Sequence, residues 1–128
     1  MSRERKLGRR RIGPRHLCCY SLTVFTRRWN EVRNFYVGLL GSEVTSEREN
    51  RYLDLSVGGL PISFRVWETD DGRFESYFHL YLALAKREPI LERLREAGII
   101  VREEGPYMHF LDPEGRVINL TEDVAVLR

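Results

Sequence analysis

Apolar and polar residues alternate without a break over residues 77–84, Tyr-Phe-His-Leu-Tyr-Leu-Ala-Leu, which predicts a strand. Phe78, Leu80, Leu82 and Leu84 fall on one face, and Tyr77, His79, Tyr81 and Ala83 on the other. A strand facing bulk water carries charges on its second face. This one carries hydrogen-bonding rings suited to a concave, partly wet pocket. The same scheme recurs in residues 17–25, where Cys18, Tyr20, Leu22 and Val24 oppose Cys19, Ser21 and Thr23. In residues 51–57, Leu53 and Leu55 oppose Tyr52, Asp54 and Ser56; in residues 60–67, Leu60, Ile62, Phe64 and Val66 oppose Ser63, Arg65 and Trp67.

Two stretches change to helical spacing. Thr26 is placed as an N-cap for a helix carrying Trp29, Val32, Tyr36 and Leu39 up to a stop at Gly41. Pro89 suits the first turn of a second helix, with Ile90, Leu91, Leu94 and Ala97 inward and Gly98 at its end. Residues 43–46, 99–103, 107–111 and 117–121 read as further strands. Turns are marked by Glu49-Asn50, Gly58-Gly59 and Asp112-Pro113-Glu114-Gly115.

The order strand, helix, three strands therefore occurs twice, over about residues 16–68 and 76–122, with the charged residues 69–75 as the seam. An α+β class follows, with paired βαβββ modules forming a cup-shaped mixed sheet. Left dry and unpaired, the polar inner faces would cost about 1–3 kcal/mol per buried group, so they are expected to enclose something wet or a ligand.

At 128 residues the chain has room for a single domain, assigned to residues 16–128. Residues 1–15 carry seven Lys or Arg against Glu4 alone, so an arm of +6 precedes a body of −4 within the net +2. The body has no basic stripe to continue a phosphate footprint, so the arm reads as an unstructured extension and nucleic acid is not the expected partner. The two cysteines, Cys18 and Cys19, are adjacent and would point to opposite faces of a strand, which implies reduced thiols and a cytoplasmic setting. No apolar run approaches the roughly 20 residues that span a bilayer, so no membrane partner is expected. Glycine-rich phosphate loops, Cys-x-x-Cys pairs and Ser-His-Asp arrangements are all lacking, so nothing supports a nucleotide-cofactor enzyme or a hydrolase.

The strings Phe35-Tyr36 with Leu39-Leu40-Gly41, and residues 110–115 (Phe-Leu-Asp-Pro-Glu-Gly) running into Ile118-Asn119-Leu120, resemble the vicinal-oxygen-chelate superfamily. That superfamily includes glyoxalase I, extradiol dioxygenases, bleomycin-resistance proteins and fosfomycin-resistance thiol transferases. The resemblance covers about residues 17–121 and implies the glyoxalase/bleomycin-resistance-like fold, usually as a homodimer. Members with chemistry hold one divalent metal through two histidines and a glutamate. Those positions fall here on Cys19, His79 and Asn119. Two imidazoles and a carboxylate suit Zn, Mn or Fe; a thiol, one imidazole and a neutral carboxamide are a poorer set, so no cofactor is the leading expectation. In spacing the fosfomycin-resistance branch matches best, placing substrate-contacting tyrosines at Tyr52 and Tyr77 and another at His109. The residues between Glu104 and Tyr107 are too few for that branch's cation loop.

The resemblance and the polar strand faces together lead to the expectation of a metal-free protein that holds a small organic molecule, with Tyr52, Arg65, Trp67, Tyr77 and Tyr81 binding the ligand. His79 and His109 would supply acid–base chemistry. The alternative is a metal-dependent lyase, dioxygenase or thiol transferase working through His79. Arg65 carries two readings, an anion-recognising group or a strand-edge arginine paired with Asp54.

Overall fold

The computed structural model describes residues 17, 21–68 and 76–122. His16, Cys18, Cys19, the basic arm and the seam 69–75 lie outside the described residues. The first sheet holds β1 (Leu22–Thr26), β2 (Glu43–Arg48), β3 (Tyr52–Val57) and β4 (Leu60–Val66) in the order β1-β4-β3-β2. The second holds β5 (His79–Ala83), β6 (Arg102–Glu104), β7 (Tyr107–Leu111) and β8 (Val117–Thr121) in the order β5-β8-β7-β6. Helix α1 (Trp29–Arg33) continues into a π-helical segment (Asn34–Leu39) and follows β1; α2 (Glu88–Glu96) follows β5. In each module the first strand runs parallel to the last and the other pairings are antiparallel. The fold is α+β, two βαβββ modules.

Alternation decides which face of each strand is buried. Leu53, Leu55 and Val57 of β3 are buried, whereas Tyr52, Asp54 and Ser56 are half-buried. The β3–β4 hairpin closes on Gly58 and Gly59 at φ 57° and 88°. A two-residue turn with both φ values positive matches the right-handed twist of the strands, and side chains rarely tolerate it.

Several elements differ from expectation, each for a local reason. Strand β1 begins at Leu22 and not at residue 17. Thr26 caps no helix: it ends β1, fully buried, accepts the Arg28 N–H at 3.0 Å and donates to Glu114. The first helix widens where Leu40 N–H donates to the Phe35 carbonyl at 3.0 Å and Ser42 N–H to that of Tyr36 at 2.9 Å. Phe35 and Tyr36, three and four residues on from the buried Val32, both lie in the core, and Leu39 packs against it half-buried. Ala97 lies beyond the end of α2 and is exposed. Strand β6 is three exposed residues; Ile99 and Val101 pack on the core from irregular chain, and Ile100 is 70% exposed.

One apolar cluster serves both modules. Phe35 lies 6.1 Å from Phe110, and Tyr36 lies 5.0 Å from Phe64 and 6.5 Å from Phe78, measured between ring centroids. In its midst Arg116 is wholly buried, its guanidinium 5.3 Å from the Phe64 ring and 5.6 Å from that of Phe78. Arg116 donates to Asp112 at 2.9 Å, to Glu114 at 3.3 Å, to the Ser76 carbonyl at 2.8 Å and to the Phe25 carbonyl. Asp112 also accepts the Tyr36 hydroxyl at 2.6 Å and the backbone N–H groups of Glu114 and Arg116. Phe25 N–H donates to the Ser76 hydroxyl at 2.7 Å, and Arg27 N–H to Glu114 at 3.0 Å. Through these bonds the open edge of β1 and the tyrosine of the first helix are tied to the β7–β8 turn.

Removing one partner of a buried ion pair strands the other, at about 3–5 kcal/mol. Arg116→Met is expected to lower unfolding stability by about that amount in urea titration, and a loss below about 1 kcal/mol would contradict this reading. Burial and the Asp112 carboxylate push the Tyr36 phenol far above its ordinary value of 10.0. Unfolded chains then release a proton that the native state keeps, so stability should fall as pH rises past about 10. Tyr36→Phe should remove that slope; an unchanged alkaline slope would count against the buried Tyr36–Asp112 bond.

Candidate functional site

The ladder of the second sheet lines up one rung of chemistry. Tyr81 sits beside Asn119, Asn119 opposite His109, and His109 opposite Arg102. His79 stands one rung away beside Val117, and Tyr107 is opposite Glu104. Residues two apart on a strand share a face, so these side chains converge. His79, Tyr81, Glu104, Tyr107, His109 and Asn119, with Val117, wall a hollow of about 260 Å³.

Asn119 is the anchor of this hollow. It is 6% exposed, and its carboxamide nitrogen donates toward the Leu80 carbonyl at 3.5 Å. Its oxygen can only accept, and it lies 3.2 Å from His109 Nδ1. His109 Nδ1 therefore carries the proton, which makes Nε2 the acceptor of the neutral ring. A Glu104 carboxylate oxygen lies 3.9 Å from the same Nδ1, beyond hydrogen-bond range but close enough to add negative potential. The Tyr81 and Tyr107 rings meet edge to face at 5.2 Å. The arrangement can accept a hydrogen bond or proton at His109, donate from tyrosine hydroxyls and present ring edges to a planar molecule.

Other candidates are placed elsewhere. Tyr52 and Arg65 are neighbours on the first sheet, the guanidinium 4.8 Å above the Tyr52 ring. Arg65 lies 3.8 Å from Asp54, which also accepts the Ser63 hydroxyl at 2.6 Å. The pairing with Asp54 is thus present, with nearly half of the Arg65 side chain still exposed. Trp67 follows β4 and packs edge-on against Phe25 at 4.9 Å. Tyr77 precedes β5, is 68% exposed and does not line the hollow. Within one chain the hollow is walled by the second module alone. The cup expected between both polar faces is not closed by one copy.

Among the described residues no three His, Cys, Asp or Glu side chains cluster as ligands. Asn119 offers a neutral oxygen already committed to His109, and its position is the one where the resemblance places a carboxylate. Cys19 lies outside the described residues. Sequence reasoning missed Glu104 and Arg116. Ending the sixth strand at residue 103 left Glu104 in a loop, although its place opposite Tyr107 was readable once β6 reached it. Nothing in the sequence distinguished Arg116 from a solvated turn residue.

No protein-family model matches the chain, and no curated protein matches it. Solved structures do. An antibiotic binding protein, TnmS3 from Streptomyces sp. CB03234, is 20% identical over 85% of this chain and 98% of its own, with a TM-score of 0.64. A possible glyoxalase from Bacillus cereus is 17% identical over 83% of this chain and 99% of its own, also at 0.64. The fosfomycin resistance protein FosX from Listeria monocytogenes is 14% identical over 83% of this chain and 90% of its own, at 0.61. At these identities the likeness is one of architecture: the chain has the vicinal-oxygen-chelate fold, that of glyoxalase-family, antibiotic-binding and fosfomycin-resistance proteins.

Proposed function

We propose that the protein binds a small organic molecule in the polar hollow without a catalytic metal, in the manner of the bleomycin-resistance proteins. The observation that carries this reading is the His109–Asn119 bond at 3.2 Å. It fills the position of a metal-binding carboxylate with a group that orients a histidine instead. The ligand class that fits is planar and aromatic, with a hydroxyl that donates to His109 and an oxygen that accepts from the tyrosines. TnmS3, by its description an antibiotic binding protein, supports a binding role for this architecture. A FosX variant structure contains Mn(II), which is the contrasting use of the fold.

The reading includes a second copy of the chain. The hollow is open on the side away from the core, and the Tyr52–Arg65 face of the first module lies outward in the same way. A homodimer would set one face against the other and complete the cup, with Arg65 answering an acidic group. Reduced thiols and a cytoplasmic location belong to the same reading.

Metal analysis of protein purified without a histidine tag is expected to find no stoichiometric metal. One equivalent per chain, lost in His79→Ala, would overturn the metal-free reading. With 6-hydroxy-2-naphthoate, whose hydroxyl can donate to His109 Nε2 while its carboxylate accepts from Arg65, His109→Ala and Arg65→Ala are each expected to weaken binding about tenfold. Sedimentation should report a dimer. Loss in His109→Ala alone would contradict a cup shared between copies, and loss in neither would contradict the site itself.

A further inference from the structure

A second cleft, of about 420 Å³, opens where the two modules meet, and it is chemically unlike the polar hollow. Its walls come from both modules: Leu40 and Val57 from the first, Leu82, Leu84, Ile90 and Phe110 from the second. The volume lies within the range of small-molecule sites. The tip of the β3–β4 hairpin forms one lip and is held close to β5. A Cβ added at Gly58 would come within 3.1 Å of Leu82 Cδ2.

Two polar features define what such a cleft would take. The first is the edge of β5, which among the described strands pairs only with β8. Val117 N–H donates to the Phe78 carbonyl at 3.1 Å and Leu84 N–H to that of Thr121 at 2.9 Å, so the even-numbered residues turn their backbone groups to β8. In a parallel pairing the alternate residues then turn theirs to the open edge, and Tyr81 and Ala83, both lining the cleft, are such residues. The second feature is charge. Among the lining residues there is no Lys or Arg, and Glu43 is the one carboxylate.

We propose that this cleft is a second ligand site, for a neutral apolar molecule bearing one hydroxyl or amide end. The hydrocarbon part replaces water against the leucines and Phe110, and the polar end bonds to the backbone edge at Tyr81 and Ala83. An anion of the same size is disfavoured, because Glu43 repels it and no cation among the lining residues answers it. The site is independent of the reading of the polar hollow.

Isoleucine-, leucine- and valine-methyl-labelled protein titrated with 1-octanol and, separately, octanoate tests this directly. Saturable shifts at the Leu82, Leu84 and Ile90 methyls are expected with 1-octanol, and binding of octanoate should be about tenfold weaker. Glu43→Gln should narrow that difference. Leu84→Trp, at a partly exposed position, and Ile90→Phe should each abolish the saturable response, whereas His109→Ala should leave it intact. Shifts scattered over the surface, equal affinity for octanoate, or persistence in either folded blocking variant would overturn the proposal. So would methyl shifts that follow protein concentration and not octanol, since a second copy would then occupy the cleft.

Discussion

A fully buried guanidinium governs how this molecule is assembled. Arg116 belongs to the second module, yet its stacking partner Phe64 and its acceptor at Phe25 belong to the first. An unpaired cation in that position would be prohibitive, so its carboxylates must be buried with it. Asp112 and Glu114 bring two negative charges against one positive. The surplus is spread over the Tyr36 hydroxyl, the Arg27 N–H and two backbone N–H groups of the turn. The network is complete only when both modules are present, so the junction carries part of the stability of each.

That junction sets the site. Because the modules share one apolar cluster, the helix-facing side of each sheet is used up in the core. The opposite faces, with His109 and Asn119 on one sheet and Tyr52 and Arg65 on the other, are left outward and polar. A similar architecture accompanies differently described proteins, so fold alone does not assign an activity. In the proposed reading the side chain at position 119 decides between them. A carboxamide bound to His109 orients an imidazole, where a carboxylate at the same place would attract a cation.

Much of this was legible in the residue pattern, and the misses have physical causes. Strands β7 and β8 match the expected residues 107–111 and 117–121, because inward and outward positions there differ sharply in polarity. The first helix was harder. Its spacing placed Trp29, Val32 and Tyr36 inward, as observed, but left out Phe35 and did not show that the last turns would be π-helical. Strand β6 has charged residues throughout, and its existence rests on pairing with β7. Strand parity put His79 with Tyr81 and His109 with Tyr107, and the family's sheet layout brought them to Asn119. Parity could not say that Tyr77 would leave the strand before reaching the hollow, or that Trp67 would turn onto Phe25. The role of Arg116 was invisible, since burial of a charge depends on what tertiary structure places around it.

The proton of His109 is the most direct gauge of this account. Two-bond proton–nitrogen correlation spectra of the imidazole ring distinguish a proton on Nδ1 from one on Nε2. The neutral ring should hold its proton on Nδ1 in the native protein, and Asn119→Leu should shift the balance toward Nε2. A native ring already protonated on Nε2 would show that Asn119 does not orient it, and the hollow would lose the feature on which its proposed use depends.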